Sequence, residues 1–215
     1  MKQETISAIK ENKIIAIVRG AGREDCIKLT AALYEGGIRL IEFTYNQNEP
    51  ASWSETAGII ETLKEEYGEK MKIGAGTVTS EKLVRLTAEH KGEFIVAPNT
   101  NPAVIKTAGE LGLVSVPGAM TPTEILTAWD SGADFVKLFP ASCLGLGYFK
   151  AIRAPINHVP LIATEGINEK NARPFLEAGA AAVGVGGMLA NGRLMVEGRF
   201  DEITAAAKLL VESIR

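Results

Sequence analysis

Short runs of apolar, β-forming residues alternate along this chain with segments whose apolar residues recur every three or four positions. The runs predict strands over residues 14–19, 40–45, 72–77, 94–98, 114–117, 135–139, 161–164 and 182–186. The segments between them read as amphipathic helices. Residues 24–34 carry Ile27, Ala31 and Tyr34 on one face, and residues 53–67 carry Ile59, Ile60, Leu63 and Tyr67. Thr121-Pro122-Thr123-Glu124 offers a cap residue, a proline at the first helical position and a first-turn glutamate, a strong helix start. Asn168-Glu169-Lys170 is expected to open a further helix ending at Gly179. Asp201 opens the last, with Ile203, Ala207, Leu210, Val211 and Ile214 on one side.

Eight strands each followed by a helix, at repeats of about twenty to thirty residues, predict an α/β fold, the (β/α)8 TIM barrel. An extra N-terminal helix over residues 4–10 would close the bottom of the barrel. A doubly wound sheet shows the same alternation, but no Gly-x-Gly-x-x-Gly follows the first strand, where Arg19-Gly20-Ala21-Gly22 runs straight into Arg23-Glu24. No linker or low-complexity stretch divides residues 1–215, so a single domain is expected.

Composition narrows the function more than the fold. The net charge of −3, with no block of like charge and no basic stripe, argues against nucleic acid or an anionic membrane as partner. Met1-Lys2-Gln3-Glu4 lacks the apolar core of a signal peptide, and no apolar run approaches membrane-spanning length. Cys26 and Cys143 have neither metal-site nor redox spacing and read as reduced thiols in a cytoplasm. His90 and His158 belong to no ligand cluster, so neither a metal nor another cofactor is expected.

The chemistry gathers at the strand ends. Lys137 stands in the middle of Asp134-Phe135-Val136-Lys137-Leu138-Phe139-Pro140, sharing a strand face with Phe135 and Phe139. Burial there favours the neutral amine, a nucleophile towards carbonyls. A barrel places its catalytic groups at the C-terminal ends of its strands. Those ends supply Arg19, Glu42 with Thr44, Thr77, Pro98, Lys137 and Thr164. A neutral lysine condenses with a ketone to an imine, an electron sink for cleavage of the neighbouring carbon–carbon bond, and a carboxylate can shuttle the protons. Glu42 could equally be a structural ion-pair partner of Arg19 or Lys137, and either threonine could be a local hydrogen-bonding residue.

Five segments occur in order: Ile17-Val18-Arg19-Gly20, Gly36-Gly37-Ile38-Arg39-Leu40-Ile41-Glu42-Phe43-Thr44, Gly74-Ala75-Gly76-Thr77-Val78, Val116-Pro117-Gly118 and Val136-Lys137-Leu138-Phe139-Pro140-Ala141. Together they resemble the 2-keto-3-deoxy-6-phosphogluconate / 4-hydroxy-2-oxoglutarate aldolase family, across essentially the whole chain. The resemblance implies a metal-free class I aldolase that releases pyruvate through a lysine imine, as a barrel homotrimer. It implies Lys137 as the Schiff-base lysine, Glu42 as acid and base, Thr77 on the pyruvate carboxylate and Thr164 lining the substrate channel. Phe139 lends the site its low dielectric, and Arg19 matches the family's arginine at the end of the first strand.

The chain departs from the family pattern in two places. Asn46 stands where many members carry a carboxylate-gripping arginine, as in the branch acting on the galactonate-derived epimer. Thr164-Glu165-Gly166-Ile167 and Gly186-Gly187-Met188 replace the pattern Thr-Gly-Gly-Ile followed by Gly-Gly-Ser, where backbone N–H groups would cradle a phosphate. Glu165 would therefore disfavour a phosphorylated substrate, unless it turns outward and Arg193 or backbone amides still hold the phosphate. The expected substrate is a 2-keto-4-hydroxy acid. The competing readings are a keto-acid-binding barrel without chemistry and a phosphate-binding isomerase or epimerase.

Overall fold

The computed structural model describes residues 2–215. Its strands are β1 (Ile14–Val18), β2 (Leu40–Thr44), β3 (Lys72–Gly76), β4 (Phe94–Val96), β5 (Val114–Val116), β6 (Gly118–Ala119), β7 (Val136–Leu138), β8 (Leu161–Thr164) and β9 (Ala182–Val185). They pair in parallel in the order β5-β4-β3-β2-β1-β9-β8-β7-β6. The two ends of this order, β5 and β6, are halves of one bent strand, so the sheet curls into an eight-stranded barrel, as expected from the alternation.

Pro117 makes the bend. It has no N–H to give the ladder, although its carbonyl still accepts from Lys137 N at 2.8 Å. β5 therefore pairs with β4, and β6 pairs with β7 beyond the proline. Gly118 is required at this corner, because a Cβ there would lie 2.4 Å from the Pro98 carbonyl.

The helices are α1 (Lys2–Asn12), α2 (Arg23–Glu35), α3 (Trp53–Tyr67), α4 (Glu81–Glu89), α5 (Pro102–Glu110), α6 (Pro122–Asp130), α7 (Ala141–Arg153), α8 (Ala172–Glu177), α9 (Gly192–Val196) and α10 (Phe200–Ser213). The expected start of α6 is a full capping box: Thr121 Oγ1 accepts from Glu124 N, and Glu124 Oε2 accepts from Thr121 N. The expected helix opening at Asn168 begins later, at Ala172. Asn168 Oδ1 accepts from Lys170 N at 2.9 Å and Asn171 Oδ1 from Asn168 N at 2.8 Å. These side-chain bonds satisfy the backbone locally and hold residues 168–171 as a turn.

Strand alternation sorts the apolar residues into two cores. Ile14, Ala16, Ile41, Phe43, Ile73, Ala75, Val136, Leu138, Leu161 and Ala163 face the helices. Ile15, Leu40, Phe94, Val96, Val114, Val116, Phe135, Ile162 and Ala182 fill the barrel interior, joined there by Ile9 of α1. The extra helix thus plugs the barrel, as the sequence reading expected.

Ile9→Ala should therefore open a void in the interior and cost about 2–5 kcal/mol of stability. Chemical denaturation should show this loss, with turnover per folded molecule retained because the plug is remote from the strand C-termini. An unchanged denaturation midpoint would mean that α1 does not hold the barrel together.

Candidate active site

The interior face of β7 and its continuation runs Phe135, Lys137, Phe139, as the alternation requires. Phe135 is sealed in the apolar interior below. Lys137 is 8 % exposed, with Nζ 4.8 Å from the centroid of the Phe139 ring. Glu42, on the interior face of β2, is 2 % exposed. Two glycines make room for these polar groups. A Cβ at Gly76 would sit 2.9 Å from the Glu42 carboxyl carbon and 2.8 Å from Thr44 Cγ2, and one at Gly184 would sit 2.8 Å from Thr164 Oγ1.

A cavity of about 410 Å³ opens above this layer. Ile17, Arg19, Lys137, Phe139, Thr164, Glu165, Gly166, Gly186, Gly187 and Ala190 line it. A small void beneath it shares Ile17 and Thr164 and is walled by Glu42. The structure therefore brings Arg19, Glu42, Lys137, Phe139, Thr164 and Glu165 to one place. Thr44 and Asn46 line a neighbouring polar cavity of about 260 Å³ instead. The Asn46 side chain accepts from Asn48 N, and its carbonyl accepts from Trp53 Nε1 at 2.8 Å, so it is turned into its own loop. Thr77 (φ 57°) and the exposed Pro98 lie outside the lining of the main cavity.

The electrostatics separate Lys137 from the other buried lysine. Lys72 (6 % exposed) holds Glu69 at 2.6 Å and Glu93 at 2.9 Å. Burial opposes its charge, but those two partners outweigh burial and leave its pKa raised. Among the described residues neither Lys137 nor Arg19 nor Glu42 forms an ion pair. Burial pushes the Lys137 ammonium below the usual lysine range; Arg19 adds to the effect and Glu42 opposes it. Burial likewise drives the Glu42 carboxyl up to about 7, against the pull of Lys137 and Arg19. Glu42 Oε2 is fully buried with no hydrogen-bond partner. The ion pair with Arg19 or Lys137 that a purely structural Glu42 would make is not formed among the described residues, although both cations act on it through space.

On the loop after β8, Glu165 adopts φ 82° and its carboxylate accepts from Ser142 Oγ at the start of α7. Arg193 pairs with Glu197 at 2.8 Å and lies outside the cavity lining. Met188 packs against the helix-side core. Sequence reasoning missed Ile17, Ala190 and Ser142. Ile17 could be found by extending the alternation along β1, whereas Ala190 lies in the turn beyond β9 and Ser142 meets Glu165 only through the tertiary fold.

An interior lysine with a weakened hold on its proton, beside an unpartnered buried carboxyl, defines an enzyme of the imine-forming type. Comparison agrees. The model of the KDPG and KHG aldolase family matches residues 5–206, and the chain belongs to this family. It is 30 % identical over 203 residues to the 2-dehydro-3-deoxy-6-phosphogalactonate aldolase of Escherichia coli, covering 94 % of this chain and 96 % of that protein. A Rhizobium meliloti protein named "Probable 2-dehydro-3-deoxy-6-phosphogalactonate aldolase" is 37 % identical over 180 residues, 83 % of this chain and 82 % of its own. The solved "Native KDPGal structure" superposes with a TM-score of 0.83 at 31 % identity, covering 93 % of each chain. A Legionella pneumophila KDPG aldolase structure, described as holding pyruvate as a covalent carbinolamine, shares the fold at 22 % identity and TM-score 0.83, covering 95 % of this chain and 97 % of that one.

The Glu42 pKa makes stability depend on pH. Its folded value lies above the ordinary 4.5, so the native state keeps a proton that the unfolded chain has lost. The contribution is full below pH about 4.5 and declines as pH rises towards about 7, by roughly 3 kcal/mol in all. Glu42→Gln removes this slope. Denaturant unfolding should show E42Q gaining on the parent protein as pH rises from about 4.5 to about 8. A constant difference across that range would mean that Glu42 titrates like an exposed acid.

Proposed function

We propose that residues 1–215 form a single barrel domain that acts as a metal-independent class I aldolase, cleaving a 2-keto-4-hydroxy acid to pyruvate and an aldehyde. The observation that carries this reading is the buried, unpaired Lys137 on the floor of the cavity with the orphaned Glu42 carboxyl in the same interior layer. The names of the relatives support the reaction type.

Lys137 Nζ attacks the C2 ketone, and the carbinolamine loses water to give a protonated imine. Glu42 supplies and removes the protons of these steps; a carboxyl poised near neutrality can do both. It then takes the C4 hydroxyl proton as the C3–C4 bond breaks. The electron pair flows into the imine, the aldehyde leaves, and the resulting enamine is protonated at C3. Hydrolysis frees pyruvate and restores the amine. Arg19, free of ion pairs at the cavity wall, is suited to the substrate carboxylate, with Thr77 in the supporting role that family resemblance gives it. Phe139 and Thr164, both in the cavity lining, complete the substrate surround in this reading.

No helix among the described residues is long and apolar enough to cross a membrane; a cytoplasmic location is proposed separately, from the thiol and leader reading of the sequence. A homotrimer is the assembly proposed. Met120, just before α6, and Leu126, within it, are exposed apolar side chains that a subunit contact would cover.

Borohydride reduction in the presence of pyruvate should fix a pyruvyl adduct on Lys137, identified by peptide mass. Lys137→Ala should lose both the adduct and pyruvate release. Glu42→Gln should lower kcat by about 10²–10⁴-fold while the fold is retained. Pyruvate release that persists in K137A would overturn the reading.

A further inference from the structure

We propose that Glu165 and Ser142 form a specificity device that selects a substrate with an uncharged, hydroxylated tail and rejects one ending in phosphate. The inference rests on the aldolase reading and concerns the end of the substrate remote from the imine.

The device is built rather than incidental. Glu165 adopts φ 82° without being glycine, a conformation that side-chain-bearing residues rarely take. It lines the same cavity as Lys137 and Arg19, and its carboxylate receives the Ser142 hydroxyl proton. The loop is braced on both sides. A Cβ on Gly166 would come within 2.2 Å of Ser142 Cβ, and Asn171 Nδ2 donates to Gly166 O at 2.8 Å. These contacts fix the backbone beside Glu165, and the hydrogen bond from Ser142 Oγ holds its exposed carboxylate at the cavity wall.

The hydrogen-bond inventory decides what this wall accepts. A carboxylate only accepts, and the serine hydroxyl has already committed its proton, so the pair presents lone pairs alone. A phosphate dianion is also acceptor-only and like-charged, and gains nothing there. A sugar hydroxyl can donate to Glu165. The backbone N–H groups of Gly186 and Gly187, also in the lining, can serve either tail and do not discriminate. Charge balance points the same way. The cationic side chains in the lining are Arg19 and Lys137. Imine formation uses the second, and the substrate carboxylate occupies the first. No cationic side chain in the lining remains for a phosphate.

The test measures kcat/KM by pyruvate release from 2-keto-3-deoxygluconate and 2-keto-3-deoxygalactonate and from their 6-phosphates. The parent protein should favour the unphosphorylated acids by at least about tenfold, equivalent to about 1.4 kcal/mol. Glu165→Gly, which suits the backbone and deletes the acid, should shift the ratio towards the phosphates by about tenfold or more, and the isosteric Glu165→Gln should shift it in the same direction. A parent protein that cleaves the 6-phosphates as well or better, or ratios unmoved in both variants, would overturn the proposal. Borohydride trapping of pyruvate on the parent protein, read in parallel, separates the two failures: an adduct with the wrong selectivity sinks only the role of Glu165, while no adduct sinks the aldolase reading.

Discussion

Everything at the mouth of this barrel depends on one constraint, two ionisable groups buried in a single interior layer with no partners that would fix their protons. Lys137 and Glu42 are shifted towards each other, the amine down and the acid up, and for both the dominant cause is loss of water. The opposed shifts lower the cost of moving a proton from ammonium to carboxylate, which leaves a free amine and a neutral acid in an apolar surround. That pair is the starting state an imine-forming reaction needs. Lys72 shows the alternative: with two carboxylates in contact it is held charged and inert. Ion pairing, rather than burial alone, separates the structural lysine from the one proposed to react.

The rest of the fold can be seen as support for that layer. Below it, Phe135, Phe94, Leu40 and Ile9 exclude water from the barrel interior. Beside it, Gly76 and Gly184 surrender the volume that Glu42 and Thr164 occupy. A side chain at either glycine would collide with the polar group it faces, so strand residues without side chains are what admit polar groups to a barrel interior otherwise filled with branched ones.

Much of this was legible in the sequence because alternation is a strict rule. Once residues 135–139 read as a strand, Lys137 had to share the inner face with Phe135 and Phe139, and Glu42 had to follow Leu40 inward. The barrel, its N-terminal plug and the gathering of Arg19, Glu42, Lys137 and Thr164 follow from that rule and from the placement of the strand ends. What the sequence hid depends on local bonds or on tertiary proximity. The kink at Pro117 turned one expected strand into two. The paired asparagines Asn168 and Asn171 hold a turn where Asn168-Glu169-Lys170 suggested the opening of a helix. Asn46 is held in its own loop by a backbone contact that no spacing reveals. Ser142, at the start of α7, and Glu165, on the loop after β8, lie far apart in sequence and meet only because β7 and β8 are neighbours in the barrel.

That last contact shows how the architecture divides its labour. The groups proposed for bond breaking sit on strands, where the pleat and the close-packed interior fix them and leave little room for change. The groups proposed to meet the remote end of the substrate sit on the loop after β8 and at the start of α7, where one residue can be exchanged with little disturbance below. Family membership speaks to the strand-borne chemistry, and so it is compatible with more than one substrate tail. Relatives named for phosphorylated substrates share the fold, yet the loop after β8 here presents a braced carboxylate to the cavity. Lys13 and Lys91 also adopt positive φ, but each simply follows a helix, whereas Glu165 does so in the lining of the cavity. It lines the cavity that also holds Lys137 and Arg19, and a role in choosing the substrate tail is proposed for it on that ground.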